Sequence, residues 1–437
     1  MIAPALAGGT GRPPAHAAAT SAWIPQLAYA AMRLLLAFLA LVSTSAFHEK
    51  LFGGIPPESL QQPITVAAWI MVIASSFMVP RLRSLSTGLE TVAVVAFFGF
   101  AVFSVLWSNH AEVSFLKGFA LGLTTLGAYR VAVTVRVDHI VAAATGGLVA
   151  AAAISLLLVA LVPEVGTAQY WMHQGQWNGV YQSKQALGAT GAALMFLAAC
   201  RYGLDRRALR FAITFSLAIA CVLGSGSRGG GAIALAGIAC LLLARFSGRW
   251  AIRLAFGPLV FLTVALLLVT YFIATGSNSI EVFGTSINIT ERTFIWAHAF
   301  KHYDQSFLFG YGLNGFWTEK QILTEYHREH GWVLDDFHSG YISILVETGA
   351  VGMSLFALMQ TLVSTKLAIL VRSRAIGRWE QALHVGFFNT MFLINLTETG
   401  FLRSTNFLSV LLVALTFLVC VCPRRSGHVA RSADARP

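Results

Sequence analysis

Twelve apolar stretches, each near the length needed to cross a bilayer, constrain this chain more than any other feature. They fall at about 27–47, 63–80, 89–107, 115–135, 140–162, 186–203, 211–225, 229–244, 254–275, 340–363, 382–402 and 405–422. A helix rising 1.5 Å per residue needs about 20 such residues to span the hydrocarbon core. Only 11% of the residues are charged and 56% are hydrophobic, where a soluble domain carries about 25% charged residues. Most of the surface therefore cannot face water. A soluble enzyme, a disordered chain and a fibrous repeat are excluded. The expected fold is all-α, a polytopic integral membrane protein of about 12 transmembrane helices.

The net charge of +11 sorts by side. Even-numbered connections hold arginines such as Arg81, Arg83, Arg136, Arg201, Arg206 and Arg210, and the tail adds Arg424, Arg425, Arg431 and Arg436. Those connections and the tail carry 18 basic residues against four acids, Asp138, Asp205, Glu380 and Asp434. By the positive-inside rule this side is cytoplasmic, with both termini on it. The pI of about 9.7 is then a topology signal, and little basic surface is left for nucleic acid. Cys200, Cys221, Cys240, Cys420 and Cys422 all lie in apolar spans. They form neither a disulfide framework nor a metal-type spacing.

The expected organisation has five parts. Residues 1–26, rich in Ala, Gly and Pro, read as a disordered cytoplasmic tail, and 27–275 hold the first nine spans. Residues 276–339 are a 64-residue exported loop, 340–422 hold the last three spans, and 423–437 form a basic cytoplasmic tail. Loops of that length are usually functional. Within it, 291–303 and 316–330 place apolar residues at helical spacing. Two or three short helices packed over the membrane surface are expected. A second exported segment, 163–185, is rich in aromatic residues. There is no internal repeat and no matched pair of broken helices, which weighs against a secondary transporter.

Chemistry-bearing residues collect on the exported side. Arg228, in GSGSRGGG, sits at the exported end of two spans. An ionisable group there is a functional hypothesis, and a guanidinium among small residues suits phosphate. The plain alternative is a snorkelling Arg capping a helical hairpin. Arg292 opens the first loop helix, where the helix dipole attracts anions; alternatively it pairs with Glu291 or Glu281. His338 lies where the loop re-enters the membrane, after Asp335 and Asp336, with Tyr341 three residues on and, by helical spacing, on the same face. An imidazole beside carboxylates can act as a base near neutral pH, or simply belong to an aromatic belt. Glu347, deeper in the same span, reads as a carboxyl bonded to a neighbouring helix. Lys184 precedes a span and could neutralise a phosphate or anchor at the interface.

Two patterns fail their context. Gly310-Tyr-Gly312-Leu-Asn-Gly315 fits G-x-G-x-x-G, yet no strand precedes it. It reads as a tight turn between loop helices. His298 and His302, with His327 and His330, could suit zinc. No cysteine and no H-E-x-x-H accompanies them, and no metal site is expected.

Together these segments resemble the bacterial O-antigen ligase and Wzy-type polysaccharide polymerase superfamily over about residues 90–400. The resemblance rests on WSNHAEVS (107–114), WNGVYQSKQALG (177–188), GSGSRGG (224–230), ERTFIWAHAFKHYDQSFLFGYGLNGFW (291–317) and FHSGYISILVETGAVG (337–352). The last pieces look closest to exopolysaccharide polymerases of the succinoglycan type. Where the family usually has Lys-Asn, this chain has Lys184-Gln185.

The resemblance implies a GT-C-like membrane glycosyltransferase at the outer face of the bacterial inner membrane. The donor would be an undecaprenyl-diphosphate-linked glycan, and the acceptor another glycan or lipid A-core. Membrane lipids and other polysaccharide assembly proteins would be its company. Arg228 and Arg292 would hold the diphosphate, and His338 would activate the acceptor hydroxyl. Lys184, Tyr341 and Asp336 would bind substrate, with no metal or cofactor needed. Polymerisation of lipid-linked repeat units leads, ligation of a finished chain to lipid A-core is the alternative, and flipping or export of the lipid-linked unit is the reading from another class.

Overall fold

The computed structural model describes residues 15–42, 57–169, 174–181, 183–275, 279–282, 285–288, 292–331 and 336–423. Its helices, in order, are α1 (Ala15–Val42), α2 (Pro57–Phe77), α3 (Leu89–Val102), α4 (Ala111–Thr134), α5 (Val137–Leu161), the single turn α6 (Pro163–Gly166), α7 (Lys184–Asp205), α8 (Ala208–Ser225), α9 (Arg228–Phe246), α10 (Gly248–Ala255) and α11 (Gly257–Thr275). There follow α12 (Arg292–Tyr303) and α13 (Lys320–His330) in the large loop, then α14 (Gly340–Arg372), α15 (Arg378–Ile394) and α16 (Phe407–Cys420). Each of the twelve expected spans is met by a helix. Among the described residues nine are long and apolar enough to cross a membrane. The chain is an all-α multi-pass membrane protein.

Helix is the form these spans take because a backbone in lipid must satisfy its own hydrogen bonds. Leu209, Leu223, Leu235 and Leu267 point outward and are largely exposed. On a soluble protein they would be a liability, whereas here they meet acyl chains. Inside, α15 packs on α9, α14 on α3 and α10, α16 on α4, and α1 on α5. Short strands β1 (Arg83–Leu85), β2 (Ser279–Val282), β3 (Thr285–Asn288) and β4 (Val421–Pro423) make two antiparallel ribbons, β1 with β4 and β2 with β3.

Two expectations need correction. Residues 15–26 are helical, so the N-terminal tail is not irregular throughout. The span expected at 382–402 stops at Ile394, and 395–406 form an irregular connection. Asn395 pins that connection. Its Oδ1 accepts from the amides of Gly400 (2.8 Å) and Phe401 (2.9 Å), and its Nδ2 donates to the Met391 carbonyl (2.8 Å).

The connections sort onto two faces. On one, β1 pairs with β4, Arg83 donates to the carbonyls of Ala132 and Val135, and Arg206 and Arg245 stack on Trp379. These are the arginine-rich connections. On the other, the large loop docks on the α3–α4 turn. There Trp107 Nε1 donates to the Phe309 carbonyl (2.9 Å), Ser108 Oγ to the Tyr311 carbonyl (2.9 Å), and His110 meets Glu319 (3.1 Å). The loop has its own core, in which Trp296, Phe316, Trp317, Tyr326 and Phe337 are buried together.

The glycine-rich turn does more than connect loop helices. α14 breaks at Gly349, whose φ of 67° lies in the left-handed region. The break frees backbone groups, and the loop supplies their partners. Tyr311 N donates to the Val346 carbonyl and Gly312 N to that of Glu347 (both 3.0 Å), while Ala350 N and Val351 N donate to Phe307 and Leu308 (2.9 and 3.1 Å). Such closeness requires glycine on both sides. A Cβ at Gly310 would lie 2.5 Å from the Glu347 carbonyl carbon, and one at Gly349 2.3 Å from the Leu308 oxygen. Residues 307–312 are thus a wedge driven into a membrane helix.

Candidate functional site

His338 is placed from both sides. Phe337 before it is fully buried in the loop core, and its carbonyl accepts from Trp296 Nε1 (2.9 Å). After it, Gly340 N donates to the carbonyls of Asn395 (3.0 Å) and Glu398 (3.1 Å). A Cβ at Gly340 would fall 1.9 Å from Asn395 Oδ1, so only glycine admits this approach. Held at both ends, His338 takes a φ of 50°. For a residue with a Cβ the left-handed region costs about 1–2 kcal/mol, and such strain gathers at functional sites. Because His338 precedes α14, Tyr341 does not share a helical face with it. Tyr341 is buried, and its hydroxyl donates to the Phe392 carbonyl (2.9 Å) between Phe392 and Phe401. It belongs to the core rather than to the cavity.

Two carboxylates flank the imidazole. Glu398 Oε2 lies 3.8 Å and Asp336 Oδ2 3.9 Å from His338 Nδ1. At those separations they act as charges, and Nδ1 makes no hydrogen bond among the described residues. Glu398 first, then Asp336, hold the imidazole above its usual pKa, against burial and the opposing charge of Arg292. Arg292 Nη2 donates to Glu398 Oε1 at 2.9 Å. Arg292 therefore pairs with Glu398, 106 residues away; the side chain of Glu281, and Glu291 and Asp335 altogether, lie outside the described residues.

Sequence reasoning missed Glu398, Arg403 and Lys117. Arg403 grips Glu347 bidentately (Nη1–Oε2 3.0 Å, Nη2–Oε1 2.9 Å) and donates to Ser343 Oγ (2.8 Å). Glu347 is fully buried and bonds across to the 395–406 connection. A polar cavity of about 290 Å³ opens between His338, Asp336, Lys117, Asn314, Arg403 and Asn406. It shares Asp336, Thr399 and Asn406 with a groove of about 190 Å³, which runs past Glu398 to the capping Ser183 and to Gln185 and Thr190 on α7, and down to Leu148 and Ile394.

Lys184 and Arg228 line neither space, although Ser183 and Gln185 beside Lys184 line the groove. Lys184 Nζ donates to Gln176 Oε1 (2.6 Å), and Gln176 packs over the turn at Gly226. Arg228 opens α9, exposed, after the capping Ser227. Its side chain makes no hydrogen bond or ion pair among the described residues. His298 and His302 face α13, where His298 Nε2 lies 3.1 Å from the Ile322 carbonyl and His302 Nε2 3.0 Å from Glu325 Oε2.

Residues 213–357, a third of the chain, match a family model described as O-antigen ligase. This segment belongs to the O-antigen ligase and Wzy-type superfamily. The O-antigen ligase domain contains Arg228, Arg292, Asp336 and His338, while Lys184, Glu398 and Arg403 lie outside it. The match supports a membrane enzyme of the ligase and polymerase type. No curated protein matches the chain.

Proposed function

We propose that the protein joins undecaprenyl-diphosphate-linked repeat units into an exopolysaccharide or O-antigen chain at the periplasmic face of the inner membrane. The observation that carries this reading is the cavity beneath the large loop. His338 and Asp336 line it, Glu398 lines the adjoining groove beside the imidazole, and Arg292 binds Glu398, on the face opposite the arginine-rich connections. The donor would lay its lipid along the groove between α7 and α16. Its diphosphate would reach Arg292, and the exposed Arg228 and Lys184 would receive charge at the groove's outer corner. Fixed cations make the diphosphate a good leaving group in place of a metal ion. His338, when neutral, would take the proton of the acceptor hydroxyl held in the polar cavity.

The family description favours a second reading, ligation of a finished glycan to lipid A-core, with identical donor chemistry. A deletion strain separates them. Single repeat units without polymer mean a polymerase; polymer held on the carrier and absent from lipid A means a ligase. The reaction itself is tested with purified protein in vesicles, a synthetic lipid-linked donor and an acceptor glycan. Transfer should persist in EDTA and fall at least about 100-fold in His338→Gln, the lower end of a general base's contribution. Loss of transfer in EDTA with rescue by a divalent ion, or full activity in His338→Gln, refutes the mechanism.

A further inference from the structure

We propose that Glu398 is a positioning residue which couples donor binding at Arg292 to the basicity of His338. The inference rests on the reading of His338 as acceptor base and adds a residue and a linkage to it. One carboxylate serves both partners: Oε1 accepts from Arg292 at 2.9 Å while Oε2 stands 3.8 Å from the imidazole. Its backbone is fixed independently, because the Glu398 carbonyl accepts from Gly340, two residues past His338. Changing the side chain therefore leaves the frame in place. Both partners are incompletely satisfied: Arg292 Nε and His338 Nδ1 are buried and make no hydrogen bond among the described residues.

Among the described residues, few charges face His338. Asp336 approaches from its own segment, Glu398 and Arg403 from the 395–406 connection, Arg292 from α12, and Lys117 from α4 across the cavity. The charge of Arg403 is matched by Glu347. Among the described residues, Glu398 is thus the acid through which a change at Arg292 reaches the imidazole.

In the step this implies, the donor diphosphate takes Arg292, and Glu398 loses its cation. The carboxylate then closes on Nδ1–H and strengthens the base at Nε2. Nε2 accepts the proton of the acceptor hydroxyl as its oxygen bonds to the anomeric carbon. The bond from that carbon to the phosphate oxygen breaks, and its electron pair leaves on undecaprenyl diphosphate. The proton stays on His338 until water removes it.

The test is the pH profile of kcat in vesicles with undecaprenyl-diphosphate-linked donor and glycan acceptor. Protonated His338 cannot act, so wild-type activity falls as pH drops through the raised pKa of His338. Glu398→Gln removes an opposite charge within 4 Å, and its acid limb should move down by about one pH unit. Arg292→Ala removes a like charge, and its limb should move up, at a lower rate. Glu398→Asp keeps the charge and the wild-type limb, and with Arg292→Ala it carries the test if Glu398→Gln folds poorly. A purely structural Glu398 would lower the rate equally at every pH. An unmoved limb in Glu398→Gln, or shifts of one sign in Glu398→Gln and Arg292→Ala, overturns the coupling while an inactive His338→Gln upholds the base. Full transfer by His338→Gln overturns both.

Discussion

Glu347→Ala removes the carboxylate partner of a guanidinium set deep beside the cavity. Glu347 is fully buried, and the Arg403 side chain is 17% exposed. Breaking a buried ion pair from one side costs about 3–5 kcal/mol, because the surviving charge stays behind. Arg403 keeps Ser343 and borders a polar cavity, so the lower end applies, about 3 kcal/mol. At about 2.1 cal/mol/K per residue, the unfolding entropy of this chain is near 0.9 kcal/mol/K, and the midpoint should drop by about 3 °C. Thermal unfolding in nanodiscs, followed by tryptophan fluorescence, reads this directly. Replacing both partners, as Glu347→Met with Arg403→Met, removes the stranded charge and should recover most of the loss. The reasoning is refuted if Glu347→Ala melts with the wild type, or if the double variant is no more stable than the single ones.

Gly349→Ala should cost more than about 1 kcal/mol, since the residue sits at positive φ against the Leu308 carbonyl. Gly99→Ala, in open space on α3, should be neutral or slightly stabilising in the same melt. Burial lowers the pKa of His298. A histidine depressed on folding stabilises above its unfolded value near 6.5 and loses that contribution as pH falls. Hydrogen exchange of residues 292–331, corrected for intrinsic rates, should therefore quicken below about pH 6, and His298→Gln should blunt the change. Alkaline phosphatase fused near Thr318 should be active and a fusion after Pro423 inactive; the reverse would invert the assignment of sides. Arg228→Lys, which keeps charge but loses the planar fork, should weaken donor binding with normal insertion, measured as KM for the lipid-linked donor.

The helices were legible because apolar runs leave a membrane chain few alternatives. The expected loop helices appear as α12 and α13, their apolar spacing now buried in the loop core. What escaped was short and non-local. Between Ile394 and Phe407 the apolar Leu396, Phe401 and Leu402 extend the hydropathy of α15, while the fold there is decided by the hydrogen bonds of Asn395. A window average absorbed Glu398 and Arg403, whose partners lie 106 and 56 residues away. Two charges inside an apolar stretch were the available signal, since ionisable groups at membrane depth are rarely idle. Tyr341 went astray for the converse reason. Helical spacing was applied across a residue that precedes the helix and lies in the left-handed region.

The wedge at Gly349 bears on how this protein could be re-engineered. Four backbone hydrogen bonds of a membrane helix are completed by a segment remote in sequence, so the two cannot be exchanged separately. A chimera that imports a foreign loop without its matching stretch of α14 would strand those amides and carbonyls away from water, at about 1–3 kcal/mol for each group. Loop grafting should therefore leave 306–315 and 346–351 untouched, or move them as one cassette. The safer sites for variation are the exposed positions of α13, such as Gln321, Thr324 and Arg328.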